Sequence, residues 1–142
     1  KNRILTCKTH KLMKPKTEKL LDEEFSRYIR MKYSDVNGLT KCFTCGKPMH
    51  WKDATLGHWM KRRHLGTRFH EDNARPQCLA CNSFHDGLME VFEDNLRRAI
   101  GSTRVDELIV LHHQTVKITE PEAQTILQRL KQQNKELEKK FI

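Results

Sequence analysis

Four cysteines fall in two identical spacings, Cys42-Phe-Thr-Cys45 and Cys78-Leu-Ala-Cys81. A C-x-x-C loop lets two thiolates reach one ion, and two such loops complete the closed tetrahedral set that a structural zinc takes. The pairs stand further apart than in a zinc ribbon, so the ion would clamp a segment of more than thirty residues at both ends. Two disulfides are the alternative. The odd cysteine, Cys7, and a lysine-rich start without the apolar stretch of a secretion signal argue against it. Redox C-x-x-C chemistry would call for a βαβ pattern that the sequence lacks. A zinc ion is therefore expected, standing in for a core that this polar segment cannot build.

Inside the clamp lie Gly57-His58, then Lys61, Arg62, Arg63 and Arg68, then Asn73, with Asn82 directly after the last cysteine. Hydrolysing a phosphodiester needs a base to activate water and a cation to stabilise the leaving oxygen, which one histidine and one metal ion can supply. His58 is the candidate base. Lys61 and the three arginines are candidate phosphate contacts, the guanidinium groups offering two-pronged bonds. Taken singly, each residue has a plain structural role: a histidine on a surface or in a core, an asparagine capping a helix. The joint order of the motifs lifts His58 and Asn82 above that background.

The order Cys-x-x-Cys, Gly-His, Asn, Cys-x-x-Cys-Asn resembles the HNH or His-Me finger nucleases, and is similar to the zinc-clamped junction-resolving endonuclease of T-even phages. A closer resemblance is to the NinG (Rap) recombination proteins of lambdoid phages. It runs over roughly residues 40 to 142, on CFTCG, LGHW, TRFHEDN, QCLACN and the stretch from FEDNLRRAIG through VDELIVL to the last helix. The resemblance implies a small ββα-metal core and a nuclease acting on branched recombination intermediates, Holliday junctions and D-loops among them. It further implies that Asn73 ties the loop and orients His58, and that Asn82 offers its amide oxygen to a catalytic ion. Asp86, four residues on and so on the same helix face, would add a carboxylate. Such oxygen donors suit Mg²⁺ or Mn²⁺, whereas His85 as a ligand would favour softer metals. In the T-even endonuclease an aspartate precedes the base. Here that position is Gly57, so Asp53 is considered as a substitute, and His58 itself as a ligand.

These residues need elements to hold them. Glu18 to Tyr33 places Leu21, Phe25, Tyr28 and Ile29 at helical spacing, behind a basic tail, with Gly38 in the following turn. From Cys42 to Asn82, Gly46, Pro48, Gly57, Gly66 and Pro76 break any helical period, so short strands and loops are predicted. After Asp86 a helix with Leu88, Val91, Phe92 and Leu96 on one face ends at Gly101, and Thr103 with Asp106 starts another. Thr119 and Glu122 form a capping-box signature for a last helix carrying Ala123, Leu127, Leu130, Asn134, Leu137 and Phe141 as a heptad stripe. Under three heptads, such a stripe packs on its own domain or on a second copy, and a homodimer would supply two active sites for a symmetric target. The fold expected is α+β: a basic tail and helix over 1–40, a zinc-clamped nuclease core over 41–100 and a helical extension over 101–142.

The net charge is +9, and residues 88–142 balance nine Lys or Arg with nine acids, so the excess lies in the first two thirds with the motifs. That pattern suits a polyanionic partner, although it does not choose between DNA and RNA and a basic face can also serve solubility alone; the resemblance implies DNA, and branched DNA in particular. No apolar run approaches the roughly 20 residues a membrane span requires. The expectation is a soluble protein of the host cytoplasm if phage-encoded, with recombination proteins as further partners. Its activity would be structure-selective endonucleolytic cleavage. The alternative is a zinc-dependent module that grips nucleic acid without cutting it.

Overall fold

The computed structural model describes residues 11–84 and 88–141. Helix α1, Pro15–Lys32, begins three residues before the predicted start at Glu18, because Pro15 sits in the first turn, where its missing N–H costs nothing. The loop after it turns at Gly38, with φ of +79°. Strands β1, Leu39–Lys41, and β2, Pro48–His50, then pair antiparallel, with Cys42 and Cys45 in the connection between them. Strands β3, Thr55–His58, and β4, Ala74–Gln77, form a second antiparallel pair in which His58 lies opposite Ala74 and Gly57 opposite Arg75. Between them run the short helix α2, Leu65–Arg68, and a 3-10 turn, Glu71–Asn73. A wide helical turn over Ala80–Phe84 follows β4.

The remaining elements are helical: α3, Met89–Ile100, α4, Ser102–His112, and α5, Glu120–Glu138. The buried face of α3 is Phe92 and Leu96, flanked by Met89 and Ile100, while Val91 of the predicted face is exposed. Spacings of three and four from Met89 put those residues on one stripe and turn Val91 away from it. Gly101, with φ of +84°, separates α3 from α4 and itself stands at the N-cap of α4, so Thr103 does not cap. The capping box of α5 is present: Thr119 Oγ1 accepts from Glu122 N–H, and Glu122 Oε2 accepts from Thr119 N–H.

Two apolar clusters hold these elements. Leu21, Phe25, Tyr28 and Ile29 of α1 meet Ala123, Leu127 and Leu130 of α5, with Ala74 of β4 beneath them. Trp59, just after β3, packs with Phe92, Leu96, Val105 and Leu108. Each wholly buried Phe or Leu contributes about 1.5–3 kcal/mol, which lets two clusters of this size support two two-stranded hairpins. The heptad stripe of α5 thus packs on its own chain, from Ala123 to Leu137 against the α1 cluster and at Phe141 against Trp51. Its polar member, Asn134, donates from Nδ2 to the Glu24 backbone oxygen and to Glu24 Oε2, at 3.1 and 2.7 Å.

Candidate metal knuckle and adjoining cleft

The Sγ atoms of Cys42, Cys45, Cys78 and Cys81 lie within 4.8 Å of one another. Cys45 Sγ and Cys78 Sγ are 3.8 Å apart, matching the edge of about 3.8 Å in a tetrahedron with Zn–S bonds of about 2.3 Å. The donor set and its spacing fit one structural zinc. Burial of Cys42 disfavours its thiolate, but backbone N–H groups of Cys45, Cys78 and Thr44 outweigh this and bring the thiol down to about 7. Burial and the neighbouring sulfurs push Cys81 the other way, so its ionisation depends on a cation. The knuckle is built into the fold from both sides: Phe43 N–H donates to the Pro76 carbonyl, and Asn95 Nδ2 of α3 donates to the Phe43 carbonyl.

Next to the knuckle is a cleft of about 370 Å³ lined by Asp22, Ser26 and Arg30 of α1, Ala54 to Leu56 and His58 around β3, and Arg62 and Asn82. His58 and Asn82, 24 positions apart in sequence, therefore face one space. The half-buried ring of His58 bonds through Nε2 to the carbonyl of Arg68 at 3.0 Å. A carbonyl only accepts, so Nε2 carries the hydrogen and Nδ1 keeps its lone pair. Burial lowers the pKa of His58; the Arg68 carbonyl and Asp22 oppose that shift, and Arg62 adds to it. The net effect is a neutral imidazole at physiological pH.

Asn82 donates from Nδ2 to Thr55 Oγ1 and to the Leu56 carbonyl, at 3.0 and 3.2 Å. Among the described residues its amide oxygen accepts no hydrogen bond, which leaves it available to a cation. Asn73 is outside the cleft and wholly buried. Its oxygen accepts from Met60 N–H, and its Nδ2 donates to the carbonyls of Met60 and Thr67, so it closes the loop between β3 and β4 upon itself.

Lys61, Arg62 and Arg63 are consecutive and exposed at the edge of this site. Arg68 differs from the phosphate contact expected of it. Its side chain is 11% exposed and is bound by Asp22 and Glu18, so its charge is already neutralised inside the protein. Asp53 is exposed in the turn before β3 and does not line the cleft. Asp86, His85 and Cys7 lie outside the described residues.

Gly57 has a structural reason. A β-carbon there would sit 2.0 Å from Gln77 Oε1 and 2.5 Å from Gln77 Cδ. The side chain of Gln77, wholly buried, crosses under Gly57 to donate to Thr44 Oγ1 in the first knuckle. The place a residue's side chain would take before the histidine is filled by Gln77.

Three cleft side chains of α1 were not anticipated. Asp22 and Arg30, with Ser26 between them, form an i, i+4 polar stripe beside the apolar stripe of α1; Arg30 donates to Ser26 Oγ and to the Trp51 carbonyl. The only sequence signal was that spacing, which an ordinary solvated helix face shares. A larger groove, about 990 Å³, opens elsewhere along β1 and α1 around Tyr33, Arg75 and Arg104, and holds neither His58 nor Asn82.

Fold and site together define a small mixed α and β protein in which a four-cysteine metal knuckle braces a polar cleft. The chain belongs to the bacteriophage lambda NinG protein family, whose model matches residues 1–140. The match takes in α1, which lay outside the resemblance seen in the motifs. No curated protein and no solved structure matches the chain. Among the described residues no helix is long and apolar enough to cross a membrane.

Proposed function

We propose that the protein is a metal-dependent, structure-selective DNA endonuclease of the HNH type, hydrolysing phosphodiesters in branched recombination intermediates such as Holliday junctions and D-loops. The observation that carries this reading is His58: its Nε2–H is tied to the Arg68 carbonyl and, among the described residues, no donor binds its Nδ1 lone pair, in a side chain that lines the cleft with Asn82. That is the form a general base must hold to take a proton from water. The strand pair β3–β4, followed by a helical turn carrying Asn82, supports a ββα-metal core over this segment. Asn73 is positioned to hold the loop on which that geometry depends.

A divalent ion, Mg²⁺ or Mn²⁺, supplies charge stabilisation at the leaving oxygen when bound. Among the described residues Asn82 has the oxygen to hold it, with Asp86 as the expected second donor. Lys61, Arg62 and Arg63 bind the DNA backbone beside the cleft, and the basic excess of the first two thirds of the chain extends that face.

A second reading, a zinc-dependent module that grips DNA in a recombination complex without cutting it, is favoured by one observation. Gln77 occupies the place beside His58 from which a ligating side chain would come. The two readings separate in a cleavage assay on labelled four-way junction, D-loop and linear duplex, each with Mg²⁺, with Mn²⁺ and with a chelator. The nuclease cuts the branched substrates only with added ion, and His58→Ala binds them without cutting. Tight binding by the wild type with no scission under any condition selects the binding module.

A further inference from the structure

We propose that Asp22, on α1, is a positioning residue for His58, acting through Arg68. The inference rests on the reading of His58 as the base. Arg68 takes part twice in one chain of contacts. Its guanidinium is gripped by Asp22, with Nε to Oδ1 at 3.0 Å and a terminal nitrogen to Oδ2 at 2.5 Å. Its backbone carbonyl accepts from His58 Nε2 at 3.0 Å.

A two-pronged ion pair fixes the orientation of both partners as well as their distance, and this one is largely withdrawn from water. Glu18, one turn earlier on α1, reaches the same guanidinium at 3.3 Å. Phe25, nearly one turn after Asp22, packs edge-on against Phe69 with ring centres 6.0 Å apart and lies 6.2 Å from the ring of His58. So α1 holds residues 68 and 69 by charge and by ring packing. From the other side, Asn73 Nδ2 holds the Thr67 carbonyl. The segment carrying the carbonyl that selects the tautomer of His58 is pinned at both ends, and the outer pin is Asp22.

The hydrogen bond has little slack. A displacement of the Arg68 carbonyl by about half an ångström stretches it to the limit of a useful bond, and the ring is then free to carry its hydrogen on Nδ1, where it cannot act as a base toward the cleft. Misplacing a reacting group by about 1 Å typically costs about 100-fold in rate.

The test uses the full zinc-loaded chain with ¹⁵N-labelled histidine and the variants Asp22→Asn and Asp22→Glu. Two-bond ¹⁵N–¹H correlations at pH 8 report the tautomer of His58 directly and need no nuclease activity. The wild type shows one tautomer, hydrogen on Nε2. Asp22→Asn shows a mixture, and Asp22→Glu, which keeps the charge, recovers most of the Nε2–H form. In junction cleavage, Asp22→Asn lowers kcat about 10- to 100-fold and leaves KM within about threefold.

A pure Nε2–H tautomer in Asp22→Asn overturns the proposal, as does an unchanged kcat in an active enzyme. If Asp22→Asn fails to fold, Arg68→Lys, which keeps a cation against Asp22 without the two-pronged grip, is judged by the same criteria. If the wild type cleaves nothing while the tautomer still depends on Asp22, the endonuclease reading fails and the positioning role stands.

Discussion

Replacing Gly57 by alanine places a methyl group 2.0 Å from Gln77 Oε1, 2.5 Å from Cδ and 2.7 Å from Cγ, where ordinary contacts begin at 3.4 Å. Gln77 must therefore retreat by about 1.4 Å at Oε1 and by about 0.7 to 0.9 Å at Cγ and Cδ. It has nowhere to go without loss, since it is wholly buried and its Nε2 donates to Thr44 Oγ1 at 2.7 Å. Breaking that bond costs about 0.5–1.5 kcal/mol net, and overpacking of this kind costs about 1–3 kcal/mol. Together these give about 2–4 kcal/mol, a large part of the stability of a domain this size. With each kcal/mol worth about 3–5 °C at this length, the midpoint of thermal unfolding in zinc-saturated buffer falls by about 6–20 °C.

Truncating Gln77 to alanine removes the obstacle, so the double variant Gly57→Ala/Gln77→Ala is more stable than the sum of the single effects by at least about 1 kcal/mol. Circular dichroism melts of the four proteins complete the cycle. A Gly57→Ala protein within about 0.5 kcal/mol of wild type, or strict additivity in the double variant, refutes the argument that Gln77 dictates the glycine.

Removing the metal with a strong chelator, or substituting Cys81→Ser, is expected to abolish binding of one zinc per chain and to unfold the β1–β2 and β3–β4 region, because structural zinc contributes about 10–16 kcal/mol of apparent binding free energy to comparable small sites; metal analysis and near-ultraviolet dichroism check both. Cleavage is expected to rise with pH along a limb whose midpoint lies below 6.5, since burial lowers the pKa of His58, and to be flat above neutrality. The same shift makes stability fall as pH drops below 6.5, where the unfolded chain takes up a proton that the native ring does not; this term is absent in His58→Gln, and urea titrations across that range measure the difference. Thr119→Ala removes one half of the capping box of α5 and costs about 0.5–2 kcal/mol, seen in the same denaturant curves.

The features legible in the sequence are those set by local chemistry. Paired C-x-x-C loops, the capping box at Thr119 and the apolar stripe of α1 each declare themselves within a few residues, and all appear in the structure. The features that were missed depend on what a side chain meets across the fold. Asp22, Ser26 and Arg30 look in sequence like any solvated helix face, and only the seating of α1 against β3 turns that face toward His58. Arg68 reads as one more cation in a basic segment until Asp22 and Glu18 are found around it. Gly57 reads as a departure from a motif, and its cause, the Gln77 side chain, comes from the opposite strand. The stripe on α5 could serve a second copy or its own chain, and the partner that won, α1, lies more than a hundred residues away.

That last separation bears on how the protein is made. The bonds joining α1 to α5 span 103 residues between Thr17 and Glu120 and 110 between Glu24 and Asn134. Closing so long a loop is slow compared with forming a hairpin or a helix. On the ribosome, the cysteine knuckle can take up zinc once Cys81 has emerged, and α1 can then meet β3 and Arg68, whereas its packing on α5 forms only after α5 has left the exit tunnel. The contacts that complete the α1 wall of the cleft thus arrive last, and a nascent or truncated chain would carry its metal before that wall is fully braced.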